Sequence, residues 1–225
     1  MKYIHHHFGF GDHIICNGMI RHFYKQYGEL SLFCYNHNLE NVLYMYRDLE
    51  NLSVIGVDSD QEASTYAIEN QLDYIQIGFS KLQKLMPELN FDKAFYKIAG
   101  LDFSIRFDEF YFERNLEQEQ KVLEKLNPTK EKYIFVHDDP DRGFSLDYTK
   151  INTEFEIIKN DKSFKIFDYL LLLEGAEEIH FMQSSFKELI CSYRMETPKL
   201  YQHNYVRKYE PELNSVGLNP IVEIN

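Results

Sequence analysis

The sequence predicts an α/β fold made of two Rossmann-like domains facing a cleft. Three observations carry this. Short apolar runs alternate with helical periodicity along most of the chain, as in parallel sheets covered by helices. The chain opens with a strand, a glycine loop and a helix. The same pattern then restarts at Tyr133, after an extended stretch near residue 110. The simplest division is an N-terminal domain over residues 1–110 and a C-terminal domain over 111–225.

Taken in order, residues 3–8 read as a strand and Gly9-Phe10-Gly11-Asp12-His13 as a tight loop. Residues 14–27 read as a helix, because Ile15, Met19, Phe23 and Tyr27 recur every four positions with Ile20 and Tyr24 beside them. Asp12 stands where an N-cap belongs and Gly28 where a C-cap belongs. Gly18, one turn after Ile14, would let this helix approach a sheet closely. Strands follow over 30–35, 52–57 and 73–77, with helices expected over 39–47, 58–71 and 91–99. Residues 107–115 look extended. A helix over 116–126 ends at Asn127-Pro128. In the second half, strands are expected over 133–137, 156–159, 178–182 and 199–201. Helices are expected over 166–174 and from Ser184-Ser185 onward. The tail after Val206 is polar and poorly patterned. The triple histidine His5-His6-His7 lies on a strand, so alternation sends His5 and His7 to one face and His6 to the other.

Composition narrows the function. Hydrophobic residues make up 44% of the 225, enough for a substantial core, and aromatics 16%. A formal net charge of −12 argues against a nucleic-acid partner, which needs a basic face. Cys16, Cys34 and Cys191 show no metal spacing and fall in apolar segments, as expected of reduced core thiols in a cytoplasmic protein. The longest aliphatic run, Leu170 to Leu173, is too short for a transmembrane segment, and no signal-peptide core opens the chain. No cofactor is called for.

Ligands of such sheets sit beyond the carboxyl ends of the strands. The first loop lacks the dinucleotide fingerprint, since Ile14 stands where G-x-G-x-x-G needs its last glycine. It offers instead an acid and an imidazole, Asp12 and His13, beside Gly9 and Gly11. The loop after the Tyr133 strand, His137 to Gly143, carries His137, Asp138 and one fixed cation, Arg142. That guanidinium suits phosphate oxygens, and the acids beside it could pair with it instead. Ser185-Phe186-Lys187-Glu188 matches a capping box, which assigns Ser185 to its own helix and leaves Ser184 and the first-turn N–H groups as an anion site. Two D-x-D triplets, Asp58-Ser59-Asp60 and Asp139-Pro140-Asp141, could hold a metal on a diphosphate, but acids are frequent in this chain. Arg142 is the better-placed charge partner, so no metal site is expected.

These residues carry a likeness. The stretch from Gly9 to Arg21 resembles the first loop and helix of GT-B glycosyltransferases of the heptosyltransferase-like kind. The segment Glu178, His180 and Ser184-Ser185-Phe186 resembles the donor-side strand and helix of fucosyltransferase-like and heptosyltransferase-like enzymes. Residues 91–96 and 137–144 look similar to those of small bacterial proteins of this group. Where some relatives carry H-x-R-R-T-D, this chain reads His137-Asp138-Asp139-Pro140. The resemblance implies a nucleotide-sugar donor in the C-terminal domain, a glycan or other hydroxyl acceptor on the N-terminal one, and inverting transfer without metal. It implies Asp12 as base, Ser184 and Ser185 on the donor phosphates and, by analogy with fucosyltransferases, Arg142 on the donor. His13 is the substitute base if Asp12 is only a cap, and His137 and Asp138 are further donor-side candidates. Two other readings share these residues. One is a nucleotide-sugar epimerase on the same fold, and the other is a non-catalytic nucleotide- or glycan-binding module.

Overall fold

The structure is a computed structural model that describes residues 1–78, 81, 84, 85, 89–151, 154–195, 198–206 and 221–225. The chain divides into two compact units, Met1–Glu113 and Arg114–Asn225. Each holds one all-parallel sheet.

The N-terminal sheet is formed by β1 (Lys2–His5), β2 (Leu30–Tyr35), β3 (Leu52–Val57) and β4 (Tyr74–Gln76), in the order β3-β2-β1-β4. Its inner strand β2 is a near-unbroken buried run, as a strand covered on both faces must be. Tyr3 pairs with Ser31 on one side and Tyr74 on the other, all in parallel register. Helices cover the faces: α1 (Phe10–Ile15), α2 (Asn17–Tyr27), α3 (Leu39–Met45), α4 (Asp60–Glu69), α5 (Phe91–Ala99) and the short α6 (Ile105–Asp108). Phe8, Phe33, Val57, Ala63 and Ala67 form one of the packed clusters.

The C-terminal unit contains α7 (Leu116–Leu126), β5 (Tyr133–Val136), β6 (Glu156–Lys159), α8 (Leu170–Glu174), β7 (Glu178–Phe181), α9 (Ser185–Tyr193), β8 (Lys199–His203) and β9 (Ile221–Ile224). Its strand order is β6-β5-β7-β8-β9. Ile134, Val136, Leu146, Ile151 and Met182 pack together on one side of it.

Several sequence expectations need correction. The expected loop and helix over 9–27 are two helices joined at Cys16, whose N–H bonds back to the carbonyls of Asp12 and Ile14. The helix begins at Phe10, so Gly9 is the N-cap and Asp12 lies inside the first turn. An acid there still meets the positive end of the helix, which is why the residue type fitted either place. Gly18 does allow a close approach, but to a helix and not to the sheet. A Cβ there would stand 2.2 Å from the carbonyl oxygen of Ile105 in α6. Residues 107 and 108 belong to α6, so the extended stretch starts later than expected. Residues 166–169 form a 3₁₀ turn ahead of α8. Ser184, not Ser185, caps α9: its Oγ accepts the Lys187 N–H at 3.4 Å. The tail holds a strand, β9, which pairs in parallel with β8. Residues 207–220 of that tail lie outside the described residues. Gly28 and Gly100 cap α2 and α5 in the left-handed conformation, as their positions suggested.

Candidate functional site

In an open parallel sheet, loops part where the strand order reverses, and ligands bind there. The order reverses between β1 and β4 in the first unit and between β5 and β7 in the second. The loops that follow these four strands contain nearly every candidate residue.

At the first reversal, the chain leaves β1 through His6, His7 and Phe8 and enters α1 at Gly9. Asp12 is half-buried, and a Cβ on Gly9 would stand 2.7 Å from its Oδ2, so the carboxylate lies against that glycine. Gly11 sits in the same turn, between Phe10 and Asp12. His13 is fully buried, with its ring edge-on to His6 at 4.4 Å between centroids. Neither His13 ring nitrogen has a hydrogen-bond partner among the described residues. Burial, reinforced by His6, holds its pKa well below the usual imidazole range, so the ring is neutral. Of the pair, Asp12 is therefore the one that reaches solvent. The chain after β4 passes at Gly78, whose φ of +110° and close approach to the His7 ring both require glycine. A small hollow of about 290 Å³ lies beside this site at the ends of β2 and β3, lined by Tyr35, Asn36, His37, Val57 and Asp58.

At the second reversal, His137 follows β5 directly. Its backbone N–H donates to the His180 carbonyl at 2.8 Å, and its ring stacks on Phe186 of α9 at 4.3 Å. Its Nδ1 is 3.2 Å from Asn160 Oδ1. Burial pushes its pKa down to about 4. Asp138 accepts the Tyr148 hydroxyl at 2.7 Å. Arg142 is largely exposed; it pairs with Asp139 at 3.4 Å and lies over the Phe144 ring. Of the two alternatives for this arginine, the pair with a neighbouring acid is the one present, and on the surface such a pair holds it weakly. The Ser184 hydroxyl is engaged twice, accepting from Lys187 N–H and donating to the Met182 carbonyl at 3.2 Å. The first-turn N–H groups of Ser185 and Phe186 have no intrahelical acceptor.

Sequence reasoning missed Asn160, Tyr148 and Lys162, and named Phe186 only as part of the helix that Ser184-Ser185 opens. Asn160 directly follows β6, so the strand-end rule could have found it. Lys162 adds a second cation here, held by Asp139 and, at 2.9 Å, by Asp141. Asp138, Asp141, Asn160 and Lys162 line a groove of about 690 Å³ that runs along β6. The carboxylates of both D-x-D triplets have partners within the protein. Asp58 accepts from Asn36 at 2.6 Å, and Asp60 accepts from the Tyr35 hydroxyl at 3.2 Å. Among the described residues, no group of three or more His, Cys, Asp or Glu side chains could hold a metal ion. No described helix is long and apolar enough to cross a membrane, and the three cysteines are buried free thiols.

Two parallel sheets, each with its reversal point lined by polar loops, are a layout known from solved proteins. In its fold the chain resembles a glycosyl transferase. The match is to the crystal structure of the glycosyl transferase family 9 from Veillonella parvula DSM 2008, with a TM-score of 0.58 and 9% identity, over 99% of this chain and 86% of that one. No family model and no curated protein matches the sequence. At such an identity the likeness speaks for the fold, a Rossmann-like α/β arrangement with parallel sheets.

Proposed function

We propose that the protein is an inverting glycosyltransferase that moves a sugar from a nucleotide-diphosphate sugar to an acceptor hydroxyl without a metal ion. The observation that carries this reading is the fold likeness over 99% of the chain, joined to polar loops at both reversal points. The donor takes the C-terminal reversal point. Its phosphates meet the first-turn N–H groups of α9 at Ser185 and Phe186, with Ser184 holding that turn in shape. Arg142 exchanges its surface pair with Asp139 for the diphosphate, a cheap exchange for an exposed arginine. His137 and Asp138 complete the donor side. The acceptor takes the first turn of α1 in the N-terminal unit, from Gly9 to Asp12, where Asp12 accepts the hydroxyl proton. The new bond joins the acceptor oxygen to the anomeric carbon, and the bond to the diphosphate oxygen breaks. His13, neutral and buried, backs the loop.

Two substitutions separate the two ends of this reaction. Asp12→Asn keeps the size of the side chain and does not disturb a cap, because Gly9 holds that place. It removes the proton acceptor, so turnover is expected to fall by on the order of 10²-fold, with donor affinity and Tm nearly unchanged. Arg142→Ala is expected to weaken nucleoside diphosphate binding by roughly 1.5–3 kcal/mol. Calorimetric titration with UDP, GDP, ADP and CDP, beside turnover of the matching nucleotide sugars, checks both. Full turnover in Asp12→Asn removes the base assignment. Binding without turnover of any donor by the unaltered chain points to a binding module instead.

Metal independence is tested separately. Nucleoside diphosphate titrations in EDTA and in added Mn²⁺ are expected to give the same affinity, because the D-x-D carboxylates already have protein partners. Binding that appears only with Mn²⁺ would shift the donor site to one of the two triplets.

A further inference from the structure

The hydrogen bonds around His137 determine which of its nitrogens carries the proton. Asn160 Oδ1 lies 3.2 Å from the backbone N of Asp138 and 3.2 Å from His137 Nδ1. A backbone N–H can only donate, so the atom it meets is the amide oxygen and not the amide nitrogen. That oxygen can only accept, so His137 Nδ1 must carry a hydrogen. The pKa of about 4 keeps the ring neutral near pH 7. Nε2 is then a bare lone pair. The residue is more than nine-tenths buried, and among the described residues its side chain hydrogen-bonds through Nδ1 and not through Nε2. The ring stacks at 4.3 Å on Phe186, whose own N–H belongs to the first turn of α9. A hydrogen-bond acceptor is thus carried on a ring that packs against a first-turn residue of α9, at the same reversal point as that helix start.

We propose that this point binds a phosphate with a neighbouring hydroxyl, the phosphate on the α9 first turn and the hydroxyl donating to His137 Nε2. This rests on the donor reading above and refines it, since a bare lone pair repels phosphate oxygens and selects a group that donates hydrogen. A nucleotide sugar offers such hydroxyls from two sources, the ribose and the transferred sugar. His137 is a specificity residue for one of them. Asn160 is a positioning residue that holds the tautomer.

The test uses the full chain and His137→Phe, which keeps a flat ring against Phe186 but has no lone pair. UDP, GDP, ADP and CDP, their 2′,3′-dideoxy forms, and the corresponding nucleotide glucoses serve as probes. If the ribose is the source, the substitution weakens ribonucleotide binding on the order of tenfold and leaves dideoxynucleotide binding unchanged. If the transferred sugar is the source, the loss appears only with the nucleotide glucoses. An equal loss in all arms, or no loss in any, overturns the role of His137 while leaving the donor reading in place. Failure of every nucleotide to bind the unaltered chain overturns the donor reading, and the hydroxyl assignment with it. ¹⁵N spectra of the histidines tell these failures apart from a wrong tautomer: a His137 ring charged at pH 7, or protonated on Nε2, overturns the acceptor itself. Asn160→Asp guards against a His137→Phe chain that does not fold. It still accepts both N–H groups, but its charge raises the imidazole pKa. The hydroxyl-dependent part of binding is expected to fall off at a higher pH in that variant than in the unaltered chain, and an identical pH profile in the two counts against the proposal.

Discussion

Acidification from pH 7 to pH 4.5 is expected to remove several kcal/mol of stability from the protein. Seven histidines, His5, His6, His7, His13, His137, His180 and His203, have pKa values pulled down, in each case mainly by burial. For His6 and His137 the folded value is about 4, against an ordinary value of 6.5. Between those two pH values the unfolded chain binds a proton at each such ring and the folded chain does not. Stability therefore rises with pH through this window and is lost as pH falls below 6.5. A single ring such as His6, fully buried, accounts for roughly 3 kcal/mol once pH reaches its folded pKa. The window lies above the unfolded pKa of most carboxylates, so the effect belongs to the histidines. Both units carry such rings, so both should weaken. Urea unfolding at pH 7.0, 6.0, 5.0 and 4.5 measures this, and a flat profile would contradict it. His6→Phe should reduce the slope, because it removes one of the rings that takes up a proton on unfolding.

Arg114→Met is expected to destabilise the C-terminal unit by about 3–5 kcal/mol. Glu119 of α7 is fully buried and paired with Arg114 through both of its oxygens. The same guanidinium donates to Glu174 of α8 at 2.8 and 3.0 Å and to the Tyr193 hydroxyl of α9 at 3.2 Å. Three helices therefore share one cation. Without it, Glu119 would keep the Leu171 N–H at 3.0 Å but would have no charge opposite it. An uncompensated buried carboxylate is far more costly than the pair itself is favourable, so Arg114→Met/Glu119→Leu should recover most of the loss. Denaturant midpoints of the single and double variants decide the matter. A single substitution costing less than about 1 kcal/mol would mean that water reaches Glu119.

Much of the architecture was legible in the residues. Helices over Phe91–Ala99 and Leu116–Leu126 and the strand Glu156–Lys159 stand where spacing and stop signals put them, because their apolar period and their caps agree. The parallel class followed from apolar runs that do not alternate, as β2 and β5 show. What was misread lies mostly at element ends. Ser184 and Ser185 are both competent caps, and only the φ of −166° at Ser184 marks it as the residue outside the helix. Asp12 was open to the same ambiguity, since an acid suits an N-cap and a first turn alike. The strand Ile221–Ile224 was missed because four residues carry little period, and it is the neighbouring β8 that makes them a strand.

The sequence by itself determined the candidates: strand ends carrying Asp12, His13, His137, Asp138 and Arg142, with few cations and many acids around them. It could do so because strand periodicity and loop composition are local. Only the tertiary structure decided what those side chains are. It buried His13 and left Asp12 within reach of solvent, joined His137 to Asn160 across 23 positions, and set Lys162 against Asp139. It also linked Glu178, His180, His203 and Tyr205 through contacts of 3.2, 3.0 and 2.9 Å that run diagonally across β7 and β8. Burial and hydrogen-bond partners depend on strand order, and strand order depends on the packing of the whole sheet, so the charge and tautomer of a histidine cannot be read from its neighbours in the chain.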